Sequence, residues 1–199
     1  MDTNPVVRVA LPIARFFVLI CGWWLLGFAI LTCVDIVGRK WFGLTLQGTD
    51  EIGGYTMAVI SSVGFSYALL QRTHTRIDIV LTHLKRRNQA VLNMVAAMMM
   101  AAMAIYGALS GWDVLRETIE LKSVSNSPLQ IPLWIPQGLW LIGLVLFAGI
   151  AFATAIHALR LLSTRYGEVN RSYGPPSVAE EIESAGVDKK TLQALQVPA

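Results

Sequence analysis

Three groups of residues could carry chemistry in this chain. Asp50-Glu51 is an adjacent carboxylate pair, His74-Thr75-Arg76-Ile77-Asp78 sets an imidazole, a guanidinium and a carboxylate in one short stretch, and Cys21 and Cys33 are the two thiols. General acid–base work needs groups that face one another across a reacting atom. The carboxylates here sit instead at the edges of long apolar runs. The cysteines lie twelve residues apart in the same run, about 18 Å along a helix, so they cannot pair with each other. Neither stands at metal-ligand spacing, and a thiol in an apolar helix behaves as a small hydrophobe. Histidine invites a haem reading, because membrane cytochromes clamp haem between paired histidines on facing helices. His74 and His83, however, share one polar loop, and His157 lies near the end of a different run with no partner imidazole. No Gly-rich phosphate loop, metalloprotease helix or serine nucleophile elbow is present. The chain therefore reads as a non-enzyme that binds no cofactor or metal of its own.

The elements that must position these residues are membrane helices. Hydrophobic residues make up 54% of the 199 and charged residues 15%, where soluble domains carry roughly 25% charge. Uncharged apolar runs occupy 16–34, 52–70, 90–112 and 131–159, each as long as the roughly 17 to 25 residues a spanning helix requires. The expected fold is all-α: a four-helix transmembrane domain over 1–165 and a polar, partly disordered cytoplasmic tail over 166–199. The first run is longer than a signal-peptide core and no small-x-small site follows Val34, so it is read as a retained helix, with Pro12 suited to its first turn. No stop signal stands at Trp112, because Asp113 to Lys122 is free of Gly and Pro, and the third helix can continue to about Lys122. From Gln89 that helix would measure about 51 Å against a hydrocarbon core of about 30 Å, which demands strong tilt or outward projection.

Charge then orients the chain. With the N-terminus in the cytoplasm, Arg8, Arg15, Arg72, Arg76, Lys85, Arg86, Arg87, Arg160, Arg165 and Arg171 lie inside and only Arg39, Lys40, Arg116 and Lys122 outside. That asymmetry favours both termini inside. The basic residues form no stripe interleaved with aromatics, so no nucleic-acid partner is expected. Ile77, Val80, Leu81 and Leu84 recur at helical spacing with Arg76, Asp78, Thr82, Lys85 and Arg86 on other faces. This is a short amphipathic helix between the second and third spans, either lying in the headgroup layer with Lys85-Arg86-Arg87 as a lipid anchor or capping the bundle.

The spans themselves hold no Asp, Glu, Lys or Arg near their centres. A chain that moves an ion alone normally keeps such groups at mid-bilayer. Small residues instead recur four apart, as Gly54, Ala58 and Ser62, Ala97 and Ala101, Ala104 and Ala108, Gly107 and Gly111, and Gly149 and Ala153. These rows let helices approach closely, within this chain or against another.

Four such helices, Asp50-Glu51 opening the second, His74-Thr75-Arg76-Ile77-Asp78 after it, and Leu129-Gln130-Ile131-Pro132 leading into the fourth make the chain resemble a known family. It is similar over about 15–162 to the small integral membrane subunit (DctQ-like) of tripartite ATP-independent periplasmic (TRAP) transporters. The resemblance implies a scaffold in the bacterial inner membrane beside a large translocating subunit. It also implies a periplasmic solute-binding protein and sodium-driven uptake of a small organic anion, with sodium handled by the large subunit. The competing reading is a non-catalytic accessory subunit of another membrane complex, respiratory or secretory.

Within that reading the residues divide by side. Asp50 and Glu51 either cap the second helix, which its dipole favours, or pair with a basic group of a partner. His74, Arg76 and Asp78 form a cytoplasmic corner that either is solvated or docks the large subunit. Pro132 and Trp134 shape the approach to the fourth helix, with Trp134 suited to the interface. Arg39, Lys40, Arg116 and Glu117 are placed to meet the binding protein, or are solvated helix ends.

Overall fold

In the computed structural model the described residues are 4–43, 45–72, 84–164 and 166–174. They form α1 (Pro5–Phe42), α2 (Thr49–Leu70), α3 (Arg86–Glu120), α4 (Trp134–Thr164) and a short α5 (Tyr166–Tyr173). Four of these are long and apolar enough to cross a membrane. Among the described residues the only extended pairing is an isolated bridge between Val124 and Pro132. His74, Arg76, Asp78, most of the expected amphipathic helix and the tail beyond Gly174 lie outside the described residues.

Local chemistry explains where each helix differs from the apolar run inside it. Asn4 caps α1, its Oδ1 accepting the Val6 N–H at 3.0 Å, with Pro5 as first helical residue. Pro12, expected in the first turn, therefore stands inside the helix, and its missing N–H leaves the Arg8 carbonyl without its usual donor. At the other end Gly43, at φ 64°, donates its N–H to the Gly38 carbonyl and stops the helix in the left-handed conformation. α3 does extend past Trp112, ending two residues short of Lys122, which turns the chain at φ 50°. Ile131 to Leu133, expected as the first turn of the fourth helix, is instead extended. Ser125 N–H donates to Ile131 O at 2.9 Å and Leu133 N–H to Ser123 O at 3.1 Å, so the helix begins only at Trp134 with Pro136 in its first turn.

The spans lie side by side in the order α1, α2, α4, α3, with α4 packed against both α2 and α3, and α1 mainly against α2. The interior is built from small side chains. Ala101 and Ala104 of α3 meet Ala151 and Ala155 of α4, and nearer the start of α3 Ala90 and Ala97 meet Ala158. The α3 row is thus used within the chain, whereas Gly54, Ala58 and Gly149 stay exposed. α2 and α4 come closest at Gly143, where an added Cβ would stand 2.1 Å from Ser62 Oγ. α5 opens the expected polar tail as a helix whose Val169 is fully buried against α3 and α4.

The layer is staggered. Phe28 packs at Gly53, Ser62 at Gly143, and Gly111 beside Trp140 and Leu141. Val34, which ends the α1 run, consequently stands about 9 Å outward of the Phe28 level, and Trp112, which ends the α3 run, about 12 Å inward of Ile52. The opposite ends step the same way: Leu70 packs with Val7 and Ala14 near the start of α1, while its neighbour Leu69 also packs against the cluster of Ala101, Ala104, Phe147, Ala151 and Ala155, whose α3 members lie well along that helix.

Candidate functional site

At the end of the layer where α2 begins, Glu51 occupies the first turn of that helix, where the unpaired N–H groups favour a carboxylate. Tyr55, one turn on, donates its hydroxyl to Glu51 Oε1. The other contacts come from the α3–α4 loop. Ser127 N–H donates to Ser125 Oγ at 3.1 Å and Leu129 N–H to Ser127 Oγ at 3.3 Å. The Ser125 and Ser127 side chains lie beside the Glu51 carboxylate. Oε2 is withdrawn from solvent and closes no full hydrogen-bond geometry among the described residues. Glu51 thus joins the start of α2 to the loop before α4. Gly48 supports this joint: it sits at φ 87°, and Leu129 Cδ1 lies 1.9 Å from where its Cβ would be. Asp50 is exposed and stands apart from the cluster.

Asp35 is a second outer carboxylate, and the sequence reading passed over it. It is 3% exposed, accepts the Leu46 N–H at 2.7 Å and pairs with Arg39 at 2.7 Å, so it fastens the α1–α2 turn. The signal was the i,i+4 spacing of Asp35 and Arg39 just past an apolar run. Of the charges placed toward a binding protein, Arg39 is thereby engaged, and Arg116 pairs with Glu120 at 2.8 Å in an exposed contact. Lys40 and Glu117 are exposed with no ion pair among the described residues. The two pairs sit on α1 and α3, at opposite edges of the layer, and are not brought together. Pro132 is exposed on the bridged segment, and Trp134 is half-exposed at the start of α4.

At the other end, Lys85, Arg86 and Arg87 are exposed where α3 begins. Asn170 of α5 ties this start down, donating to the Arg86 carbonyl at 2.9 Å and accepting from the Asn93 amide at 3.0 Å. His157 Nδ1 lies 2.7 Å from the Tyr173 hydroxyl. Burial pushes the Tyr173 phenol up from its ordinary value, against the opposing pull of the Asn4 amide and the Arg72 charge, so it stays protonated. Asn93 and His157 are polar residues inside apolar runs, but their partners Asn170 and Tyr173 lie beyond the runs, so spacing alone could not join them.

These two ends frame the helix layer, and among the described residues no three His, Cys, Asp or Glu side chains gather as metal ligands. The family of the DctQ component of tripartite ATP-independent periplasmic transporters matches residues 28–161. The chain belongs to the DctQ family. Its match takes in α2, the α3–α4 loop and the Glu51 joint, and leaves Asn4 and α5 outside. No similar curated protein and no similar solved structure was found. As a DctQ component the chain is a multi-pass integral membrane part of a transporter.

Proposed function

We propose that this DctQ chain is a fixed scaffold for the large translocating subunit, in sodium-driven uptake of a small organic anion delivered by a periplasmic binding protein. It sits in the bacterial inner membrane with both termini cytoplasmic. The observation that carries this reading is the interior of the helix layer, rich in alanine and hydroxyl side chains with a few larger apolar ones such as Leu141, Phe147 and Ile150, and with no Asp, Glu, Lys or Arg near the middle of a span. Such a layer can hold a neighbour but offers an ion or an anionic solute no path.

The termini of the spans take their roles from that reading. Asp50 or Glu51 pairs with a basic group of a partner. Arg39, Lys40, Arg116 and Glu117 face the binding protein, and His74, Arg76 and Asp78 dock the large subunit at the cytoplasmic corner. Lys85, Arg86 and Arg87 hold the inner leaflet, where each cation near an anionic surface contributes about 1 kcal/mol. Sodium belongs to the large subunit, and this chain binds no cofactor.

The test is reconstitution of the large subunit into liposomes with its binding protein and a sodium gradient, with and without this chain. Uptake is expected to fall several-fold without it. Equal uptake in its absence overturns the scaffold role.

A further inference from the structure

Tryptophan placement picks out one flank of the layer. Trp140, well inside its run, packs beside Gly111 of α3, and Trp41, Trp112 and Trp134 stand at or beyond the ends of apolar runs or within a turn of them, where an amphipathic indole is at home between lipid and water. Trp23 and Trp24 do not. They fall near the centre of the run 16–34, about 3 Å or less from its midpoint along the helix. Trp24 resolves its donor within the chain, giving its indole N–H to Thr56 Oγ1 of α2 at 3.1 Å. Trp23 is 73% exposed and its indole N–H meets no acceptor among the described residues. Hydrocarbon offers that donor nothing, and an unsatisfied N–H at this depth is strongly disfavoured.

The surroundings repeat the pattern. α1 is the edge helix, and no residue of its most apolar window is buried. Phe16, Ile20, Ile30 and Val34 continue the Trp23 face at helical spacing, all at least half-exposed. Gly27, one turn beyond Trp23, has nothing within 4 Å of where a Cβ would stand, leaving a hollow beside the indole.

We infer that the Trp23 face of α1 is the docking surface for a transmembrane helix of the large subunit. That helix presents a hydrogen-bond acceptor, a hydroxyl, side-chain amide or unpaired backbone carbonyl, to the Trp23 indole. The inference rests on the scaffold reading and adds which edge of the layer meets the partner. A lipid acyl chain fills the hollow but leaves the donor unpaired. A second copy of this chain offers only its own exposed indole across a symmetric contact.

The test uses this chain expressed with its large subunit. A photoreactive amino acid at position 23 is expected to crosslink the large subunit, while the same group at Met99, 62% exposed on α3 at the far edge, is expected not to. Trp23→Ala should lower copurification by at least about tenfold, and Trp23→Phe, which removes only the donor, by less. Because the side chain is exposed, neither change is expected to alter membrane insertion of this chain alone. Crosslinking from position 99 rather than 23, a homodimer adduct from 23, or unchanged copurification of Trp23→Ala overturns this assignment while leaving the scaffold reading standing. A wild-type pair that does not copurify overturns both.

Discussion

Two outer carboxylates show how far a single residue can be understood. Asp35 is buried and gives one oxygen to a backbone N–H eleven residues on and the other to Arg39. Asp35→Ala leaves the Leu46 N–H without its acceptor, so the α1–α2 turn should loosen and the thermal midpoint in detergent should fall by several degrees. Asp35→Asn, which keeps an acceptor, should recover part of that loss, and equal midpoints for the two variants would show that the hydrogen bond is not what matters. Glu51 differs, because its neighbours are already hydroxyl donors and an amide can still accept from Tyr55. Glu51→Gln is therefore expected to insert and fold normally while lowering uptake, since only the charge is lost. Unchanged uptake at normal complex yield would reduce Glu51 to a structural joint. Reading the sequence located Glu51 because two acids opened an apolar run. It could not find Ser125 and Ser127, more than seventy residues away, since nothing local marks a hydroxyl as the partner of a distant carboxylate.

At the scale of elements, helix contacts decide stability, and the tightest is the crossing of α2 and α4. A Cβ on Gly143 would meet Ser62 Oγ at 2.1 Å and the Ser62 carbonyl carbon at 3.1 Å. Gly143→Val must push the helices apart, and such overpacking costs about 1–3 kcal/mol, a fall of roughly 2–10 °C in the midpoint for a chain of this size. Adding Ser62→Gly should restore part of it, because the nearest clashing atoms belong to that side chain. A Gly143→Val chain as stable as wild type would mean that α2 and α4 do not meet there. Four spans were legible because an uncharged run of sufficient length has one fate in a bilayer. Their ends were not, because Asn4 with Pro5, Gly43 and the Val124–Pro132 bridge act through backbone hydrogen bonds that hydropathy does not register. The Pro132 stretch is the clearest instance. Proline is tolerated in a first turn, but here the neighbouring N–H groups of Ser125 and Leu133 found extended partners instead.

For the whole molecule, the stagger of the apolar runs predicts orientation. From the Val34 end of α1 to the Trp112 end of α3 the outer boundary shifts by about 21 Å along the helices. The layer crosses three helix spacings of about 8–10 Å each. A flat bilayer can meet all four runs only if the helices lean by roughly 35° from its normal, within the range seen for transmembrane helices. Polarised infrared spectroscopy of oriented membranes should give a mean helix tilt near that value. A tilt below about 15° would mean that the bilayer deforms around an upright layer instead. At that lean about 37 Å of the 35-residue α3 lies within the core of about 30 Å, leaving about 15 Å of its length beyond it. The lean also bears on motion. A neighbour travelling along the membrane normal would move at roughly 35° to the axis of α1. On the scaffold reading, a partner helix seated along α1 shares its lean, and any movement along the normal belongs to a different surface of that partner.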